Sequence, residues 1–155
     1  MGTPHFLWGV FVYTFDMKII MYSDGGARGN PGPAGAGVYI EDGEGNVIKK
    51  IAKFLGTRTN NWAEYEAVIL GLEGLKRHFG HKLMSMDIEL RMDSELVVRQ
   101  LTGVYKVKNQ DLALQYMKIN NLRAEHFPKL KITHVPREKN KEADTMANKA
   151  MDAGK

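Results

Sequence analysis

With 155 residues, 43% of them hydrophobic, the chain suits one domain with an ordinary core and needs no linker. It contains no cysteine, which excludes disulfides and thiolate metal sites and leaves oxygen or imidazole ligands, a set that favours Mg²⁺ or Mn²⁺ over zinc. The formal net charge of +4 is unevenly spread: residues 99–141 hold ten Lys or Arg against Asp111, Glu125 and Glu138, so the rest of the chain is net negative by three. A polyanion partner and a plain solvated basic face both fit that surplus.

No apolar run approaches the length of a membrane span. Residues 1–16 contain the apolar stretch Phe6 to Phe15 but neither a positive n-region nor a small-residue cleavage site, so they do not read as a secretory signal, and a cytoplasmic location is expected. An upstream start or added segment, a disordered tail and an added edge strand are all open for this extension. The domain proper is taken as residues 17–155.

Lys18 to Tyr22 is apolar without alternation, as a short strand buried on both faces would be. It runs into Asp24, which the sequence places at the strand's end, then the Gly25-Gly26 pair and the turn Asn30-Pro31-Gly32-Pro33. Ala36 to Ile40 and Val47 to Leu55 follow as strands around the turn cluster Glu41 to Asn46, which predicts an antiparallel meander. Thr59-Asn60-Asn61 supplies an N-cap for a helix to about Phe79, stopped by Gly80, with Ala63, Ala67, Leu70 and Leu75 and, beside them, Val68, Gly71 and Leu72 on its apolar face. Met84 to Met92 alternates as a fourth strand ending at Asp93-Ser94, and Glu95 to Leu101 is a short helix. A basic connector from Val104 leads to a helix from Asp111 to about Phe127, Leu130 to Val135 is a fifth strand, and Pro136 precedes a last helix from Glu138 to Met151. The expected fold class is α/β: a five-stranded mixed sheet flanked by helices, its first three strands antiparallel and its first, fourth and fifth parallel.

On this map four acids fall at element ends. Asp24 closes the first strand, Asp93 the fourth, Glu64 lies in the first turn of the first long helix and Asp144 near the start of the last. Each has an ordinary structural role open to it, as a turn, cap or dipole partner. Glu66, two positions from Glu64, is expected to be solvated. Together the four could converge on one rim, where carboxylates repel unless a divalent cation neutralises them. Two Mg²⁺ ions ~3.5–4 Å apart could then activate water and stabilise the leaving oxygen of a phosphoryl displacement, which is nuclease chemistry.

The motifs SDGGARGNPGPAGAG (Ser23 to Gly37), TNNWAEYEAVILGL (Thr59 to Leu72), RMDSELVVRQL (Arg91 to Leu101) and HVPREKNKEADTMANKA (His134 to Ala150) together resemble ribonuclease H of type 1. The resemblance implies a ribonuclease H-like fold and an endoribonuclease that cuts the RNA strand of RNA–DNA hybrids, leaving 3′-hydroxyl and 5′-phosphate ends. It implies that Asp24, Glu64, Asp93 and Asp144 bind metal, with two Mg²⁺ (or Mn²⁺) ions during catalysis; a monomer is expected, though nothing in the sequence fixes the oligomeric state. By the same similarity, Gly25, Gly26, Ala27, Asn30, Asn60 and Asn61 line the hybrid's minor groove, where the ribose 2′-hydroxyl is read, and Arg28 and Thr59 meet phosphates. Arg137, in the VPRE turn, is the expected aid to product departure, ahead of His134 in the fifth strand. The connector Val104 to Gln110 is too short for the basic handle helix of some members.

Overall fold

The computed structural model describes residues 2–7, 10–15 and 17–154. Gly2–Leu7 (β1) and Val10–Phe15 (β2) form an antiparallel pair of their own, with Gly2 opposite Phe15, rather than joining the main sheet. The rest builds a five-stranded sheet from Lys18–Ala27 (β3), Gly32–Asp42 (β4), Val47–Arg58 (β5), Asp87–Met92 (β6) and Lys131–His134 (β7), in the order β5-β4-β3-β6-β7. β3, β4 and β5 are antiparallel neighbours, whereas β6 and β7 run parallel to β3, as the meander followed by helical crossovers predicts. No described helix is long and apolar enough to cross a membrane.

Two helices clasp the centre of the sheet. Asn60–Phe79 (α1) starts at Thr59, whose Oγ1 accepts from the Trp62 amide at 3.2 Å, and stops at Gly80 with φ 57°. Its buried stripe, Ala63, Ala67, Val68, Leu72 and Leu75, packs with Ile19, Met21, Val38 and Ile40 of the sheet. Lys141–Ala153 (α4) covers the opposite face. Its small residues Ala143, Ala147 and Ala150 lie on Gly35 and Gly37 of β4, where any Cβ would overlap the helix backbone. Glu95–Leu101 (α2) and Gln110–His126 (α3) close the α1 side, the latter through Leu112 and Ile119.

Several boundaries and the surroundings of one side chain differ from the sequence reading. β3 does not end at Asp24 but continues to Ala27, because Gly25, Gly26 and Ala27 go on pairing with Ala36, Gly35 and Ala34 of β4. Gly80–Ser85 is a 3-10 turn, so β6 begins at Asp87 rather than Met84. The last helix begins at Lys141, after a separate 3-10 turn at Arg137–Lys139. Glu66 is half-buried and accepts from Gln115 Nε2 at 2.9 Å, so it ties α1 to α3 instead of standing in solvent.

Candidate active site

Parallel neighbours put their C-terminal ends at one edge of a sheet, and β3 is where the chain order turns outward in both directions. Tyr22 of β3 pairs with Arg91 of β6, so Asp24 within β3 and Asp93 just past the end of β6, each two residues further on, stand side by side at this switch point. Because α1 begins at Asn60, Glu64 falls in its second turn rather than the first turn the sequence suggests, and from there it reaches over the same edge. One carboxylate oxygen from each of Asp24, Glu64 and Asp93 lies within 4.8 Å of the others. Asp144, in the first turns of α4, reaches Asp24 from the opposite face and shares the cleft they line, a space of about 470 Å³.

The electrostatics of this cluster follow from packing like charges on the buried floor of an open cleft. Asp24 and Glu64 are each 9% exposed. Burial above all, then the charge of Asp93 and the proximity of Asp144, pushes Asp24 up to about 8, against a smaller opposing pull from Arg137. Burial and the charges of Asp24 and Asp93 likewise hold Glu64 well above the usual carboxylate range. Glu64 Oε2 is buried without a hydrogen-bond partner. An orphaned carboxylate oxygen among two others, with no thiolate or imidazole among the described residues lining the cleft, is a donor set for a hard divalent cation.

The glycines flanking Asp24 divide into two kinds. A Cβ on Gly25 would overlap the backbone of Ala63 and Glu64, so Gly25 lets α1 approach close enough to deliver Glu64. A Cβ on Gly26 would meet nothing nearer than Met151 Cε at 3.9 Å and Asn60 Oδ1 at 4.0 Å. Its bareness serves the cleft rather than the fold. Neither glycine uses a positive φ; that conformation falls at Gly29, φ 100°, in the turn beyond.

Among the expected ligand contacts, Gly25, Gly26, Ala27, Arg28 and Asn60 line the cleft, while Asn30, Thr59 and Asn61 do not. Asn30 and Asn60 also brace it. Asn60 Oδ1 accepts from the Ala27 amide at 2.8 Å, and Asn30 Oδ1 accepts from the Asn60 amide at 2.9 Å, which leaves each side-chain NH₂ as the group able to meet a ligand. Thr59 spends its hydroxyl on the helix cap. Arg137 lines the cleft, 89% exposed, with Nε 3.8 Å from Asp93 Oδ2. His134 is exposed on β7 and is not part of the cleft wall.

Sequence reasoning missed several supporting groups. Asn140, fully buried, donates from Nδ2 to the Ser23 carbonyl at 3.0 Å and thereby ties the start of α4 to the strand residue before Asp24. A polar residue after a VPRE turn gives no hint of burial. Arg58 stacks on the Trp62 ring at 4.0 Å and, with Thr57, Thr59 and Gln110, lines a second hollow of about 410 Å³ beside the cleft. The four-residue spacing across the helix cap was its only available signal.

Comparison with known proteins places this architecture in company. The sequence matches the family described as reverse transcriptase-like over residues 22–150. It is 42% identical to Ribonuclease HI of Halobacterium salinarum over 87% of this chain, of which protein it spans 65%. It spans 36% of the length of three mycobacterial relatives 41% identical to it. Ribonuclease H of Ruthia magnifica subsp. Calyptogena magnifica is 34% identical, with 87% of this chain and 96% of that protein covered. The structure of LC11-RNase H1, isolated from compost by a metagenomic approach, superposes with a TM-score of 0.84 at 54% identity, covering 88% of this chain and 96% of that one. The same protein in complex with RNA/DNA hybrid gives a TM-score of 0.84 at 52% identity, with 87% and 97% covered.

Proposed function

The chain belongs to the type 1 ribonuclease H family, and from that membership we propose that it is a metal-dependent endoribonuclease that hydrolyses the RNA strand of RNA–DNA hybrids to 3′-hydroxyl and 5′-phosphate ends. The observation that carries the reading is the meeting of Asp24, Glu64 and Asp93 oxygens within 4.8 Å, with Asp144 at their side. The 52% identical LC11-RNase H1, solved with a hybrid, supports the substrate class.

Asp24, Glu64 and Asp93 would hold divalent ions, Mg²⁺ or Mn²⁺, with Asp144 completing the set. When bound, a pair of such ions activates the attacking water and stabilises the leaving oxygen of an in-line displacement at phosphorus. The protein's own part is positioning. Buried Glu64 and nearly buried Asp24 are fixed by packing on both faces of the sheet, so the donor set is preformed and costs little reorganisation. Gly26 and the backbone through Ala27 leave room for a ribose to come against β3, and the NH₂ groups of Asn60, on the cleft wall, and of Asn30, behind it, would recognise its 2′-hydroxyl. Arg28 at the cleft, Arg58 beside it and the exposed Lys106 and Lys108 of the connector supply salt-dependent affinity for phosphates. Arg137 is exposed, among the described residues its side chain has one long contact, to Asp93, and it would follow a departing phosphate more readily than His134 on its strand.

The test is to incubate the purified chain with end-labelled RNA–DNA hybrid, duplex DNA and duplex RNA, with Mg²⁺ or Mn²⁺ and with chelator. Metal-dependent cutting of the hybrid with intact duplex DNA is the expected pattern. Hybrid that is bound yet uncut under every metal condition would leave only a binding module.

A further inference from the structure

The fourth carboxylate has a support that the cluster's chemistry does not itself require. Asn148 lies one turn after Asp144 on α4, and its Nδ2 donates to the Asp144 carbonyl at 3.0 Å and to Asp144 Oδ1 at 3.2 Å. The first bond is what a mid-helix asparagine makes anywhere. The second is directed at the functional group. On its other side, Asn148 Oδ1 accepts from Arg28 Nη2 at 3.4 Å, and Arg28 Nη1 is bridged to Asp152 Oδ1 at 2.6 Å. Arg28 is itself fixed at the end of β3, where its amide donates to the Pro33 carbonyl at 2.9 Å.

We propose that Asn148 is a positioning residue for Asp144 and that Arg28 sets the orientation of its amide. An asparagine side chain can present either its oxygen or its NH₂ to a neighbour, and the surrounding hydrogen-bond network decides which. Arg28 offers only donors, so it draws Oδ1 toward itself and turns the NH₂ toward Asp144. The Asp144 carbonyl and carboxylate accept from the same NH₂, so Arg28 reinforces this orientation from the oxygen side, and without it Oδ1 loses its partner and the amide is held from one side alone. The chain Asp152–Arg28–Asn148–Asp144 thus links the cleft end of β3 to α4. It fixes which Asp144 oxygen is tied back and which faces Asp24. The Arg28 and Asp152 side chains are 46% and 63% exposed, so this ion pair contributes little to stability and its purpose is orientation.

The proposal rests on the hybrid-nuclease reading, and its test separates the two. For wild type, Asn148→Ala, Arg28→Ala and the double variant, three quantities are measured: Mn²⁺ affinity by calorimetry without nucleic acid, hybrid affinity in chelator, and kcat and KM on hybrid. Asn148→Ala should weaken Mn²⁺ binding and lower kcat by about 10–100-fold, as loss of a partner behind a metal-binding carboxylate does. Hybrid affinity in chelator and the metal-free melting temperature should stay near wild type. Arg28→Ala should lower kcat in the same direction and also raise KM through its own phosphate contact, while the double variant has a kcat no lower than Asn148→Ala alone. Unchanged Mn²⁺ affinity and kcat in Asn148→Ala, or kcat losses that simply multiply in the double variant, would overturn the proposal. Wild type that leaves hybrid uncut would overturn the nuclease reading instead, and the Mn²⁺ titrations would still decide the positioning role.

Discussion

Replacing Asp24 by Asn should stabilise the metal-free protein, and the gain should grow with pH. In the unfolded chain this carboxyl titrates at its ordinary 3.8, whereas burial beside Asp93 and Asp144 pushes it to about 8 in the folded state. Between those values the native protein holds a proton that the unfolded chain has lost. Its stability therefore falls as pH rises through the window, and the penalty is fully present above pH 8 and absent below pH 4. About four units at 1.36 kcal/mol each set an upper bound of about 5 kcal/mol. The cleft is open to water, and relaxation around the charge brings the expected effect to about 2 kcal/mol. For a chain of this length that corresponds to roughly 4–8 °C in melting temperature. Glu64 is shifted in the same direction and adds to the wild-type slope. The assay is thermal unfolding in chelator at pH 4, 6 and 8 for wild type and Asp24→Asn. A variant gain at pH 8 no larger than at pH 4 would refute the electrostatic reasoning. Added Mg²⁺ should raise the wild-type melting temperature at pH 8 and the variant's much less, since binding to the native state stabilises by mass action.

Three further outcomes follow from the same geometry. Gly25→Ala should fold poorly or lose about 2–4 kcal/mol, because its Cβ would overlap the α1 backbone, whereas Gly26→Ala should melt like wild type and bind hybrid more weakly; denaturant titration and anisotropy distinguish them. Arg137→Ala should lower turnover about tenfold with little change in stability, while His134→Ala leaves turnover intact, as steady-state kinetics on hybrid would reveal. Asn140→Ala removes the buried bond to the Ser23 carbonyl and should cost about 1–3 kcal/mol in equilibrium unfolding, with the cleavage rate falling as Asp24 loosens.

The residues of the cluster were readable from the chain because acids near strand ends and near helix starts are few and fall at one edge once the crossovers are right-handed. Their surroundings were less readable. Asp24 stands inside a strand rather than at its end because β4 pairs with the glycines beyond it, and pairing is a long-range property that local periodicity does not carry. The glycines suggested a turn, yet Gly25 owes its place to α1 crossing over it, a contact 38 residues away along the chain at Ala63. Pro136 correctly broke the strand, but the 3-10 turn that follows delays α4 until Asn140 has been buried against β3. The carbonyl groups of Asn30 and Asn60 are committed to the backbone, a division of labour within one amide that composition cannot express. Glu66 was expected in solvent because its partner, Gln115, lies on a different helix.

The most direct measurement is cleavage of an end-labelled RNA–DNA hybrid by wild type and Asp93→Asn, with Mg²⁺ and with chelator, alongside hybrid affinity for both proteins in chelator. Asp93 supplies one of the three converging oxygens. Its loss should reduce cleavage by more than about 100-fold, since partners one step removed from such ligands already cost 10–100-fold, while fold and hybrid affinity persist. Wild-type-like turnover by Asp93→Asn, or equal cutting by wild type in chelator, would contradict a carboxylate-held metal site as the seat of the reaction.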